Sequence, residues 1–248
     1  MISDINFTTA PIRMFKNNVE LGSASGFFFT RNERKYFITN RHVVIKESEN
    51  FFPDTIKLRL HLNKTNLNYN LELTINLYNQ LGNRNWLEHF DYSNIECDII
   101  AIPLNENILD RTNFDIFYSC CITFIDSKLT NIPELNPFGD VVVVGYPLGF
   151  YDFTNNLPVY RKAMVASQYG VNFNGKPYFL IDTNLHPGTS GSPVVNTHHT
   201  LFKENGFNEA YKLFGIHSAE HTMKGKPLGL NVVWYSYLIN EVIDGKNK

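Results

Sequence analysis

The octapeptide Asp140-Val141-Val142-Val143-Val144-Gly145-Tyr146-Pro147 constrains the fold most: four consecutive β-branched residues, ended by glycine and proline, read as a strand. Other segments read the same way. Thr8 to Phe15 predicts a first strand, Lys16-Asn17-Asn18 a turn, and Ser23 to Thr30 a second strand with small residues at its start. After the charged turn Arg31-Asn32-Glu33-Arg34, Lys35 to Thr39 returns and delivers Asn40-Arg41-His42-Val43-Val44 at its end. Thr55 to His61 and Leu71 to Leu77 alternate apolar and polar residues at period 2, and the Asn-rich run Asn63 to Asn70 joins them as a second hairpin. Glu96 to Leu104 predicts a short buried strand with an acidic group at its mouth, and further strands are expected over 161–168, 177–183, 213–218 and 230–234. Apolar Tyr237, Leu238, Val242 and Ile243 at roughly helical spacing predict a closing helix. The polar segment Asn79 to Asn94 and the uneven stretch Asn105 to Pro137, broken by Pro133 and Pro137, complete the chain. The domain join is placed near the start of the latter, giving units 1–112 and 113–248.

Composition agrees with an all-β chain. Of the 248 residues 14% are aromatic, including 20 Phe and 13 Tyr, residues that favour strands. Lys plus Arg number 22 against 24 Asp plus Glu, and the net charge of −2 gives no drive toward nucleic acid or an anionic membrane. The N-terminus, Met1-Ile2-Ser3-Asp4, opens no basic and apolar leader, and no apolar run has the length of a membrane span. Cys97, Cys120 and Cys121 are odd in number, so they form no even disulfide framework and read as small buried hydrophobes in a reducing cytoplasm. His186, His198-His199 and Cys120-Cys121 lack zinc-ligand spacing, and no metal or cofactor is expected.

Chemistry concentrates in Asn184-Leu185-His186-Pro187-Gly188-Thr189-Ser190-Gly191-Ser192-Pro193. A serine hydroxyl is a poor nucleophile until a base removes its proton and amide donors receive the oxyanion. Glycines on both sides of Ser190 permit a turn whose N–H groups face one hollow, with the Gly188 and Ser190 amides as the donors. His42, where a strand breaks, is the candidate base, and Asp98, opening Asp98-Ile99-Ile100-Ala101, the group that orients it.

The order His42, Asp98, Ser190 and their flanks resemble the chymotrypsin-like serine peptidases from about Gly22 to Asn240. Thr39-Asn40-Arg41-His42-Val43-Val44 and Val144-Gly145-Tyr146-Pro147-Leu148-Gly149 are similar to the high-temperature-requirement (Deg) proteases. Ser190-Gly191-Ser192-Pro193-Val194 with Gly215-Ile216-His217 is similar to the glutamyl endopeptidases. The resemblance implies two perpendicular six-stranded antiparallel β-barrels with the site between them, and a serine endopeptidase acting on protein or peptide substrates. It implies that His217 lies at the back of the primary specificity pocket and suits P1 Gln or Glu, and that Ser218 bonds the triad aspartate. Leu185 replaces a polar pocket residue, and Glu220 puts a carboxylate where a glycine often lines the pocket mouth. Thr189 replaces the aspartate that trypsin-type zymogens carry before the nucleophile, so the cleft is expected to form without N-terminal cleavage. The expected state is a monomer, open to activation by a protein partner. Two competing readings are a double-barrel binding or scaffold protein with little turnover, and an esterase.

Overall fold

The computed structural model describes residues 2–109, 111–125, 138–196 and 211–245. Pro133, Pro137 and the pair His198-His199 lie outside the described residues. A first sheet is built of β1 (Thr9–Lys16), β2 (Val19–Arg31), β3 (Arg34–Thr39), β4 (Thr55–His61), β5 (Asn70–Asn76), β6 (Leu87–Glu88), β7 (Ile100–Pro103) and β8 (Phe124–Ile125), the last lying beyond the join expected after residue 112. It runs β5-β4-β1-β2-β3-β7-β6, with β8 added to β2 in parallel. The expected second unit is a closed barrel of six strands, β9 (Asp140–Gly145), β10 (Val159–Val165), β11 (Tyr178–Asp182), β12 (Pro193–Asn196), β13 (Leu213–Met223) and β14 (Lys226–Tyr235). The N-terminal sheet differs from the expected six-stranded barrel: among the described residues it has eight strands and no closing pair.

Local chemistry explains the hairpins. Asn17 and Asn18, at φ 49° and 65°, make the two-residue turn between β1 and β2, and Asn32 and Glu33, at φ 48° and 63°, make the one between β2 and β3. Successive left-handed residues match the twist of the strands they join, and Asn tolerates that conformation. Short helices fill the connections: α1 (Ile5–Thr8), α2 (Arg41–Val44), α3 (Tyr92–Ile95), α4 (Arg111–Cys120) and the C-terminal α5 (Leu238–Asp244). The last is the helix that the spacing predicted. By contrast α4 falls in a stretch the sequence left irregular. Its Phe117 is fully buried against Phe28, ring centroids 5.5 Å apart, so a tertiary contact holds a helix whose own pattern is weak.

Three consecutive phenylalanines show how the two units join. Phe28 points into the core of the N-terminal sheet with Phe37 and Phe117, while Phe27 and Phe29, on the opposite face, belong to the core of the barrel with Val143, Phe179 and Ile216. All three are fully buried, as period-2 alternation requires of a strand covered on both sides. Cys97 is buried in the same shared core, and no disulfide forms among the described residues. At the far end the Arg31 guanidinium ties β2 to α5 by donating from Nε to Asp244 Oδ1 at 2.8 Å.

The polar part of this junction is Ser25 of β2, with no exposed surface. Its N–H donates to Ser190 O at 2.9 Å, and its hydroxyl donates to Gly188 O at 2.8 Å while accepting from Tyr146 N–H at 2.9 Å. Its carbonyl accepts from Thr39 Oγ1 at 2.8 Å. Gly191, at φ 84°, passes so close that a Cβ there would lie 2.1 Å from Ser25 O. Ser25→Ala strips buried partners from Gly188 O and Tyr146 N–H. It is expected to lower the free energy of unfolding by about 1–3 kcal/mol, measured by urea denaturation.

Candidate active site

Asn40 ends β3 in an extended conformation and starts α2, and its side chain donates to Asp98 O at 2.7 Å instead of capping the helix. That bond brings the segment before β7 against the first turn of α2. The Asp98 carboxylate then receives three donors: His42 N–H on Oδ1 at 2.9 Å, and His42 Nδ1 and Ser218 Oγ on Oδ2 at 2.7 and 2.6 Å. A carboxylate can only accept, so the neutral His42 ring carries its proton on Nδ1 and leaves Nε2 unprotonated. Burial works against charge on both groups, but the pair overrides it: Asp98 raises the imidazole above its ordinary 6.5, and His42 with Ser218 holds the carboxyl below its ordinary 3.8. Behind the base, the Arg41 guanidinium packs over the Tyr92 ring at 4.2 Å and donates to Glu47.

Ser190 sits in the turn between β11 and β12. Thr189 is buried, and its hydroxyl donates to His186 O at 2.7 Å, closing the turn from within. Gly188, at φ 94°, is hemmed in by Leu148 N and Tyr146 O, each 2.7 Å from where a Cβ would stand, so only glycine fits. Among the described residues neither the Gly188 nor the Ser190 N–H meets an acceptor, although Gly188 is buried. These are the two amides that the sequence named as donors for an oxyanion.

The serine hydroxyl itself is parked. Ser190 Oγ donates to Ser218 O at 3.0 Å and makes no hydrogen bond to His42 in this structure. One residue therefore spans the site, its hydroxyl on Asp98 and its carbonyl on Ser190.

His217 is buried at the back of the same turn. Its backbone accepts from Gly191 N–H at 2.9 Å and donates to Ser192 O at 3.0 Å, and its ring Nδ1 lies 3.0 Å from Thr189 O. Both ring nitrogens thus face oxygens that only accept, since Nε2 lies 3.3 Å from Asn231 Oδ1, and a neutral ring with one N–H donates to one of them at a time. Burial pulls this imidazole below 6.5, which keeps it neutral at pH 7. Asn231 is anchored by donating to Thr183 O at 2.6 Å. Glu220 is exposed and accepts from Gly229 N–H at 3.2 Å, spanning β13 and β14, while Leu185 is half-buried against the barrel core. Sequence reasoning missed Ser25, Asn40 and Asn231 as positioning residues. Only the cluster of small residues at 23–26 hinted at a close approach, and nothing marked Asn231 as the partner of His217.

The family model of the Trypsin-like peptidase domain matches residues 125–202, which contain Gly188 and Ser190 but neither His42 nor Asp98. No curated protein sequence matches the chain. Among solved structures, the inactive mutant form of Rv3671c from M. tuberculosis H37Rv is 13% identical with a TM-score of 0.53, covering 97% of this chain and 86% of that one. The serine endoprotease from Yersinia pestis is 14% identical with a TM-score of 0.56, and the HtrA-type protease AlgW with a tripeptide 17% identical with a TM-score of 0.56. Each covers 96% of this chain, which spans only 62% and 60% of theirs. The chain thus has the chymotrypsin-like fold of the trypsin-like serine peptidases, and the turn that carries Ser190 lies inside the segment matching their peptidase domain.

Proposed function

We propose that the protein is a serine endopeptidase using His42, Asp98 and Ser190, and the observation that carries this is the single residue Ser218 joining Asp98 to Ser190. His42 Nε2 takes the hydroxyl proton as Ser190 Oγ bonds to the substrate carbonyl carbon, and the Gly188 and Ser190 amides hold the resulting oxyanion. The imidazolium returns the proton to the leaving amine, and water then releases the acyl group by the same steps in reverse. The internal closure of the turn by Thr189 supports a cleft that needs no new N-terminus.

The specificity reading rests on His217. The neutral ring has one N–H for two acceptors, Thr189 O and Asn231 Oδ1, so the amide of a P1 Gln, which both donates and accepts, suits it better than the carboxylate of Glu, which only accepts. Glu220 on β13 adds repulsion against Glu. As pH falls and the imidazole gains its second proton, both nitrogens donate and the disadvantage of Glu shrinks.

A fluorophosphonate probe is expected to label the purified full-length chain and to fail on Ser190→Ala; no labelling of the wild type would favour a scaffold or a partner-gated protein. Asp98→Asn, which leaves His42 with the wrong tautomer, is expected to lower kcat by about 10⁴ in single-turnover assays. Because catalysis needs neutral His42 and Asp98 raises its pKa, kcat/KM is expected to rise with pH through an apparent pKa above 6.5. Matched peptides are expected to show P1 Gln ahead of P1 Glu at pH 7.5, with the ratio narrowing as pH falls and the preference lost in His217→Ala.

A further inference from the structure

Beside the turn that carries Ser190 lies a cleft of about 340 Å³ walled by β1, β2, β4 and the loop 146–153, with no lining residue from β13. Its wall is continuous with that turn. Leu148 N–H donates to Pro187 O at 2.6 Å, and Tyr146 N–H reaches Gly188 O through the Ser25 hydroxyl. The rim exposes apolar surface in one place: Leu148 is 68%, Phe150 59% and Phe153 66% exposed, with Phe153 packed on Tyr151 at 4.4 Å between ring centroids. Such a patch is more than scattered surface residues require.

Charge decides what chemistry would fill it. Of the three cations lining the cleft, Arg13 donates to Glu72 at 2.6 Å and lies 3.7 Å from Glu20, and Lys57 donates to Glu72 at 3.2 Å. Arg59 is different. Its Nη1 donates to Tyr151 Oη at 2.8 Å and Asn156 Oδ1 at 2.6 Å, both neutral, and among the described residues it meets no carboxylate. These two bonds fix the guanidinium and leave the donors on Nη2 and Nε without acceptors among the described residues, a fork suited to a carboxylate.

We propose that this cleft takes the substrate segment C-terminal to the cleaved bond, seating an apolar side chain against Leu148 and Phe153 and an Asp or Glu on Arg59. The inference rests on the peptidase reading: with the acyl half toward Ser218 and β13, the leaving half is left the wall that β13 does not line, which meets the serine turn where Leu148 N–H bonds Pro187 O. Arg59 is then a specificity residue, selecting acidic sequence after the bond that is cut.

The test uses the full chain and internally quenched peptides that differ only in Asp or Asn at the second and third positions after the cleaved bond. The Asp peptide is expected to have the higher kcat/KM by about tenfold, as one charge-assisted hydrogen bond provides. The ratio should shrink when salt is raised to about 0.5 M, fall to about 1 in Arg59→Gln, and invert in favour of Lys peptides in Arg59→Glu. Each ratio is taken within one protein, so a loss of stability in a variant does not mimic the effect. A ratio near 1 in the wild type, or one unchanged in Arg59→Gln, overturns the proposal, as does an acidic peptide that stimulates cleavage of a separate substrate. Binding of a labelled Asp peptide to Ser190→Ala, read by fluorescence anisotropy, separates the two readings. Arg59-dependent binding with no turnover of any peptide by the wild type sinks the peptidase and the leaving-half assignment while leaving an acidic-peptide site. Turnover without acidic preference sinks only the cleft.

Discussion

The hydroxyl of Ser25 donates to Gly188 O and accepts from Tyr146 N–H, while its own backbone holds Ser190 and Thr39. A hydroxyl is the smallest side chain that both donates and accepts, and here both capacities are used inside a buried junction. The barrel is thereby fixed against the sheet within a hydrogen bond of the residue that carries the chemistry. Gly191 and Gly188 follow from it, because the approach that makes these bonds leaves no volume for a Cβ.

Around this joint the polar groups divide into those that are satisfied and those held open. Asp98 is fully engaged: its carboxylate takes three donors and its carbonyl takes Asn40, so its charge is stabilised despite burial. Thr189 and His217 close the serine turn from behind. Among the described residues the Gly188 and Ser190 amides, Nε2 of His42 and the Nε and Nη2 donors of Arg59 have no hydrogen-bond partner. Ser190 itself donates its hydroxyl to Ser218 O.

The strands were legible because period-2 alternation and β-branched runs reflect burial on known faces. Thr55 to His61, for instance, is β4 residue for residue. The strand expected over 96–104 shortens to Ile100–Pro103, because Asn40 and Arg41 pull the backbone at Asp98 toward α2 and out of the ladder. The helix α4 escaped detection because its stabilising contact, Phe117 on Phe28, joins residues far apart in the chain.

For the site, the residue types sufficed to single out His42, Asp98 and Ser190, since nucleophile, base and orienting carboxylate each demand particular side chains next to particular backbone breaks. Glycines at 188 and 191 likewise announced a tight turn. Which way each group points was decided only by the packed structure. The two oxygens that face His217 come from Thr189 and Asn231, the rotamer of Ser190 follows from Ser218 O, and that Arg59 meets no carboxylate among the described residues follows from the diversion of its cross-strand neighbour Glu72 to Arg13 and Lys57. Hydrogen bonds are short and directional, so their partners are set by three-dimensional approach and not by the order of residues along a chain.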